Sequence, residues 1–135
     1  MSNKVAFVAS ARPEAQQALR TMIAKYGQCD EADADVIVAL GGDGCMLDTL
    51  RRRFSDPRPV YGMNQGTIGF LMNDYREDKL MERLDRAERA VIYPLRMKTR
   101  TVDGDVSENL AINEVSLLRQ SSQTAKLQIT IDGRV

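Results

Sequence analysis

The fold is decided by the stretch 36–47, which has the sequence VIVALGGDGCML. It begins with five apolar residues rich in β-branched types, a short continuous run that is typical of a strand buried on both faces. Three glycines in the next four residues let the backbone turn sharply and leave its N–H groups uncovered. Apolar residues at helical spacing follow, at Met46, Leu47, Leu50 and Phe54. A strand, a glycine turn and a helix in this order indicate the phosphate site of an α/β protein.

Asp43 is the unusual residue of this turn, because a carboxylate repels phosphate. Its presence is explained if the site takes a proton from a hydroxyl group, or binds a metal that accompanies the phosphates. A tight turn in which Asp43 bonds to its own backbone explains it equally well. Two better-known motifs are excluded: no Gly-Lys-Ser/Thr follows, as a P-loop requires, and position 47 lacks the third glycine of the dinucleotide fingerprint.

The amino-acid composition limits the kinds of function that the protein can have. The 135 residues carry 19 basic and 19 acidic side chains, so the charge does not indicate a nucleic-acid or membrane surface. The sequence contains no histidine, so acid–base chemistry falls to carboxylates, lysine, tyrosine or cysteine. Its two cysteines have no zinc spacing and are too few for a disulfide framework. We therefore expect a reduced, cytoplasmic setting and no metal ligands in the chain itself.

Similar strand and helix patterns lie on either side of the central strand, glycine turn and helix. The pattern predicts strands at 4–11 and 60–63 and helices that begin at Pro13 and Leu80, with Gly27 ending the first and Ala87 near the end of the second. A second glycine loop, 64–71, follows the strand at 60–63. This order predicts an N-terminal doubly wound parallel sheet. Because ligands bind at the carboxyl edge of such a sheet, we expect both glycine loops to meet there.

The periodicity changes after Pro94. Apolar and charged residues alternate from Leu95, Asp103-Gly104 is a hairpin signal, a return strand is predicted at about 106–119, and alternation resumes at 127–131. We therefore predict an α/β domain over residues 1–94 and the first strands of an antiparallel β domain over 95–135. Asp132-Gly133 is a further hairpin signal that only two residues follow, so we expect this β domain to be truncated.

Three motifs together resemble the NAD kinase family. They are Gly41-Gly42-Asp43-Gly44, the loop Asn64-x-Gly66-x-x-Gly69-Phe70-Leu71, and Asn113-Glu114, in this order and at these separations. The resemblance covers about residues 36–135. It implies an N-terminal α/β domain and a C-terminal β domain with NAD bound between them, and assembly into homodimers or tetramers. It also implies that much of the β domain lies outside this sequence.

The resemblance implies a reaction and a set of site residues. The reaction is ATP-dependent phosphorylation of the 2′-hydroxyl of the adenosine ribose of NAD, with Mg²⁺ or another divalent cation accompanying ATP, and polyphosphate replacing ATP in some members. Asp43 matches the catalytic proton acceptor, and the flanking glycines match positions that keep side chains away from the phosphates. The positions that match the family's nucleotide-binding residues are Gly41, Gly42, Asp43, Gly44, Asn64, Phe70, Leu71, Asn113 and Glu114. Core packing explains Leu71 equally well.

Two positions depart from the family, and two other functions stay open. Cys45 stands where threonine is more common, and Asp48 stands where some members carry a basic residue. A related lipid kinase shares the glycine–aspartate turn, although the loop 64–71 and Asn113-Glu114 speak against it. The third hypothesis is a nucleotide-binding module without catalysis. Release of ADP with NAD or with a diacylglycerol separates the two kinases, and NAD binding without NADP formation identifies the module.

Overall fold

The computed structural model describes residues 4–56, 58–65 and 71–135. The chain divides into two compact units, one up to Tyr93 and one from Pro94 onward. Within the described residues, the first unit holds a four-stranded parallel sheet with three helices, and the second holds a two-stranded antiparallel sheet. The predicted α/β class with a parallel sheet is therefore confirmed. None of the described helices combines the length and the hydrophobicity that a membrane span requires.

The elements of the first unit follow the predicted order. They are β1 (Val5–Ala9), α1 (Pro13–Tyr26), β2 (Val36–Gly41), α2 (Asp43–Arg52), β3 (Val60–Asn64), β4 (Asn73–Asp74) and α3 (Leu80–Arg86). Gly27 ends α1 with a φ of 82°, a conformation that favours glycine. α3 begins at the predicted Leu80 and ends at Arg86, with Ala87 as its C-cap. β4 was not predicted, since its two residues are polar and carry no alternation.

The sheet brings the carboxyl ends of its strands to one edge. All neighbouring strands are parallel, in the order β1-β2-β3-β4. Ala9 pairs with Leu40 and Gly41 pairs with Asn64, so β1, β2 and β3 end at the same level. The described strands follow chain order and do not include the reversal of strand order that defines a doubly wound sheet. The doubly wound arrangement therefore stays a prediction.

Apolar side chains cover both faces of the sheet. Val5 and Phe7 in β1 point to the face covered by α1 and α3, and Ala6 between them points to the other face. The cluster on the first face also contains Ala18, Met22, Val38, Leu40, Met63 and Leu80, and that on the second contains Ala34 and Ile37. The continuous apolar run of β2 is explained by this double coverage.

An ion-pair group anchors the carboxyl end of α2. Arg53, which follows the helix, directs its guanidinium to the carboxylates of Glu31, at 3.2 Å, and Asp56. Arg58 donates from Nη1 to the backbone oxygen of Glu31 over 2.6 Å. The Arg53 side chain is only 13% exposed, so these contacts are partly shielded from water. They fix the far end of the helix whose first residue is Asp43.

The second unit is built on a hairpin. β5 (Leu95–Arg100) pairs with β6 (Val106–Ala111), and Gly104 turns between them with a φ of 93°. The predicted hairpin at Asp103-Gly104 is therefore confirmed. The predicted extent of the return strand to residue 119 is wrong, because the ladder ends at the Leu95–Ala111 pair. Pro94 precedes Leu95 and has no N–H group to continue the ladder.

The alternating residues at 127–131 do not form the predicted strand. Here the structure describes a single antiparallel bridge between Ile131 and Arg134, closed by backbone hydrogen bonds of 2.8 and 2.9 Å around the Asp132-Gly133 turn. Both turn residues have positive φ, of 51° and 78°, as expected for a tight hairpin turn. The turn prediction is confirmed. The strand prediction is wrong, because a strand needs a neighbouring strand to satisfy its backbone.

Candidate functional site at the carboxyl edge of the parallel sheet

Backbone hydrogen bonds tie together the ends of three strands at this edge. The Ser10 N–H, directly after β1, donates to the Leu40 carbonyl of β2 over 3.0 Å. The Gln65 N–H, directly after β3, donates to the Gly41 carbonyl over 2.8 Å. The starts of both predicted glycine loops therefore lie side by side. The remainder of the second loop, residues 66–70, lies outside the described residues, and the predicted site residue Phe70 is among them.

Asp43 is the first residue of α2 and is half-buried at this edge. Its Oδ1 accepts a hydrogen bond of 3.1 Å from the backbone N–H of Leu71. That bond spans 28 residues, from the turn after β2 to the segment after β3. The carboxylate thus links the two predicted loops, which a turn that is closed only on its own backbone would not do.

The three glycines around Asp43 serve two different purposes. A Cβ at Gly41 would lie 2.8 Å from the Cβ of Cys45 and 3.2 Å from that of Ser10, so only glycine fits between them. A Cβ at Gly42 or Gly44 would meet no described atom within 4 Å. None of the three has a positive φ, yet the chain passes from β2 to α2 across Gly42 alone, so the predicted sharp turn is made without left-handed backbone. Gly41 permits close packing, and the other two leave open space.

The start of α2 is suited to attract an anion. Gly42 precedes the helix in an extended conformation and offers no side-chain cap, while its carbonyl accepts hydrogen bonds from the N–H groups of Cys45 (3.0 Å) and Met46 (3.2 Å). The positive end of the helix dipole is located here and favours negative charge, including the carboxylate of Asp43 in the first turn.

Cys45 is a packing residue of this site. Its Sγ lies 3.6 Å from the Leu40 carbonyl, and its own carbonyl accepts a 2.8 Å hydrogen bond from Thr49 Oγ1. Burial raises the pKa of the Cys45 thiol above its usual value, and the negative charge of Asp48 raises it further. The neutral thiol therefore predominates near neutral pH, as expected for a small uncharged side chain in the place of threonine.

The other predicted site residues lie in different parts of the chain. Asn64 is the last residue of β3, at the sheet edge. Leu71 is 38% exposed and so is not a core residue. Asn113 and Glu114 belong to the second unit, where both are exposed. They follow the end of β6 at Ala111 and do not lie within a strand, which corrects their predicted location.

Two polar residues at the edge were missed from the sequence. The Ser10 Oγ and Gln65 Nε2 atoms are buried and have no hydrogen-bond partner among the described residues. Only their position in the sequence could have indicated them, since each residue directly follows a parallel strand. The sequence motifs singled out neither residue. Across the described ranges, cysteine and carboxylate side chains do not gather in threes as a metal centre would require.

The fold places the chain among the α/β proteins with a parallel sheet. Proteins of this class bind their ligands at the carboxyl edge of the sheet. A model of the ATP-NAD kinase N-terminal domain matches residues 2–90, and the chain therefore belongs to this family.

Relatives named NAD kinase match nearly the whole chain. The one from Hyphomonas neptunium is 61% identical over 132 residues, which are 98% of this chain and 52% of the relative. That from Caulobacter vibrioides is 54% identical over 98% of this chain and 51% of the relative. That from Xylella fastidiosa is 50% identical over 97% of this chain and 50% of the relative. The chain thus spans about half the length of these relatives.

Proposed function

We propose that this chain, at the length of its relatives, is an NAD kinase that phosphorylates the 2′-hydroxyl of the adenosine ribose of NAD with ATP and forms NADP and ADP. Membership of the ATP-NAD kinase N-terminal domain family and the names of the relatives support this proposal. The observation that carries it is the half-buried carboxylate of Asp43, at the start of α2 and at the sheet edge, hydrogen-bonded to Leu71.

In the proposed reaction, Asp43 accepts the proton of the 2′-hydroxyl. As the ribose oxygen forms its bond to the γ-phosphorus, the bond to the bridging oxygen breaks and ADP leaves. General-base assistance accelerates such a step by about 10²–10⁴, equivalent to about 3–5 kcal/mol of barrier. Mg²⁺ enters with ATP as part of the substrate and neutralises the phosphate charge, so most of the remaining acceleration comes from positioning and electrostatics.

We propose that the nucleotides bind next to Asp43. The open space at Gly42 and Gly44 supports an approach of phosphate groups to the start of α2, where the helix dipole attracts them. The family's nucleotide-binding pattern adds the positions Asn64, Phe70, Leu71, Asn113 and Glu114 to the proposed site. We also propose that the protein works in the cytoplasm as a homodimer or homotetramer, which size-exclusion chromatography with light scattering would test.

An NADP-formation assay tests the function. The chain would be assayed beside an extended chain, in which the carboxyl-terminal half of the Hyphomonas neptunium relative continues it past Val135. With NAD and Mg–ATP, we expect the extended chain to form NADP and ADP in equal amounts. A folded extended chain that forms no NADP with either ATP or polyphosphate would contradict the proposal.

A second candidate function is nucleotide binding without turnover by these 135 residues alone. It is supported by the length of the chain, which spans about half of each relative. Isothermal titration of the chain with NAD tests it. Heat of binding without NADP formation is the expected result for this candidate, and NADP formation by the chain alone would exclude it.

A further inference from the structure

We propose that the backbone amide of Leu71 is a positioning group that orients the Asp43 carboxylate for proton transfer, an inference that rests on the proposed kinase function. The Leu71 N–H donates to Asp43 Oδ1 over 3.1 Å. A hydrogen bond from an amide to a carboxylate is charge-assisted, so it is stronger and more directional than one between neutral groups. It restrains the rotation of the Asp43 side chain. Leu71 acts through Asp43 and forms no bond to the reacting atoms.

The donor is itself held in place by the residues that follow it. Asn73 begins β4, pairs with Met63 of β3, and donates from Nδ2 to the Gly62 carbonyl over 3.1 Å. Met72 packs so closely on Gly62 that an added Cβ there would overlap its Sδ. The backbone on the carboxyl side of Leu71 is therefore held against β3, starting one residue after the donor.

The acceptor of this hydrogen bond, Asp43, is also held in place by its neighbours. Asp43 starts α2, whose first turn is closed by hydrogen bonds to the Gly42 carbonyl. The Gln65 N–H bonds to the Gly41 carbonyl, two residues before Asp43. Asp43 therefore lies at the start of a helix and Leu71 lies two residues before β4, so both partners adjoin regular elements and the bond between them orients the carboxylate. Misalignment of a general base slows the chemical step more than it weakens substrate binding.

The first test removes this amide in the extended chain. Leucine 71 is replaced by its α-hydroxy acid, so that an ester oxygen takes the place of the N–H and the side chain stays. We expect kcat to fall about tenfold to hundredfold, the usual effect of losing a hydrogen bond to a charged group. The KM for NAD should change by less than about twofold, since a purely structural defect would affect both constants. The corresponding α-hydroxy acid at Val91, which is 66% exposed in the first unit, is the control and should leave kcat unchanged.

The second test needs no turnover. In the extended chain labelled with ¹⁵N-leucine, the Leu71 amide resonance should lose its intensity in D₂O about tenfold more slowly than in Asp43→Ala, because that variant removes the acceptor of its hydrogen bond. An ester variant with wild-type kcat, or a Leu71 resonance that exchanges equally fast in Asp43→Ala, would overturn the positioning role. Failure of the unmodified extended chain to form NADP would instead contradict the proposed function, and the resonance would still decide the contact.

Discussion

At the scale of single residues, the turn around Asp43 combines a packing constraint with open space. Gly41 is enclosed by Cys45 and Ser10, whereas Gly42 and Gly44 meet no described atom where a Cβ would be. Packing therefore requires glycine at position 41. At positions 42 and 44 an alanine would also fit the fold, and the open space there concerns access for the proposed ligand.

Gly41→Ala should destabilise the protein by about 1–3 kcal/mol, because the new Cβ would force the start of α2 away from β2. Urea denaturation followed by circular dichroism measures this loss. Gly44→Ala is the matched control: it should leave the free energy of unfolding unchanged or slightly higher, since alanine favours a helix. Equal stability of Gly41→Ala and the wild type would show that the turn does not have this packing.

Cys45 should react slowly with iodoacetamide, because burial and the charge of Asp48 raise its pKa and keep the thiolate fraction low. The rate is measured against pH by mass spectrometry in a Cys29→Ser background and compared with a free thiol. The rate of Cys45 should reach half its maximum at a higher pH. Asp48→Asn should move that midpoint downward, and a midpoint below that of the free thiol would contradict the environment described.

At the scale of elements, a side chain from another helix caps α3. Its N-cap residue, Lys79, has a φ of 51° and supplies no side-chain hydrogen bond. The hydroxyl of Tyr26 at the end of α1 accepts a 3.2 Å hydrogen bond from the Leu80 N–H and donates one of 2.7 Å to the Glu77 carbonyl. One hydroxyl thus satisfies a helix N–H group and joins two helices on one face of the sheet.

Tyr26→Phe should therefore lower the free energy of unfolding by about 1 kcal/mol, the usual value of a helix cap or a single hydrogen bond. The measurement is a urea denaturation curve. Tyr93→Phe is the control, because Tyr93 is 82% exposed, and its stability should match the wild type. Identical curves for the Tyr26 and Tyr93 variants would mean that the Tyr26 hydroxyl does not stabilise α3.

The elements that could be predicted are those with local signals. The apolar run of β2, the proline that starts α1 and the glycine that ends it all act within a few residues. The end of β6 could not be predicted, because it depends on where the opposite strand begins, which is directly after Pro94. The glycine turn was identified from the order of strand, glycines and helix, and the role of Asp43 as proton acceptor came from the resemblance to the family. The bond from Leu71 to Asp43 had no such signal, because it links residues 28 positions apart.

At the scale of the whole molecule, the second unit leaves much apolar surface exposed. The described part of this unit contains only one two-stranded sheet, which is too few strands to enclose a core. Its exposed large apolar residues are Leu95, Val102, Val106, Leu110, Val115, Leu117, Leu118, Leu127, Ile129, Ile131 and Val135. A surface of this kind usually binds another polypeptide.

The extended chain should therefore bind less of the dye ANS and melt at a higher temperature than the 135-residue chain. Fluorescence titration and calorimetry measure the two effects. A control in which Leu117 and Leu118 are changed to Ser should reduce the ANS signal of the shorter chain, because both side chains are exposed. Equal dye binding by the shorter and extended chains would show that the added half does not cover this surface.

We propose that Asp43 accepts the proton of the attacking hydroxyl, and the turnover number of Asp43→Asn is the sharpest test of that claim. Asparagine keeps an oxygen that can accept the Leu71 amide, so folding and NAD affinity should stay close to wild type while the proton acceptor is lost. In the extended chain, we expect kcat for NADP formation to fall by about 10²–10⁴. A folded Asp43→Asn variant that forms NADP at the wild-type rate would contradict the claim.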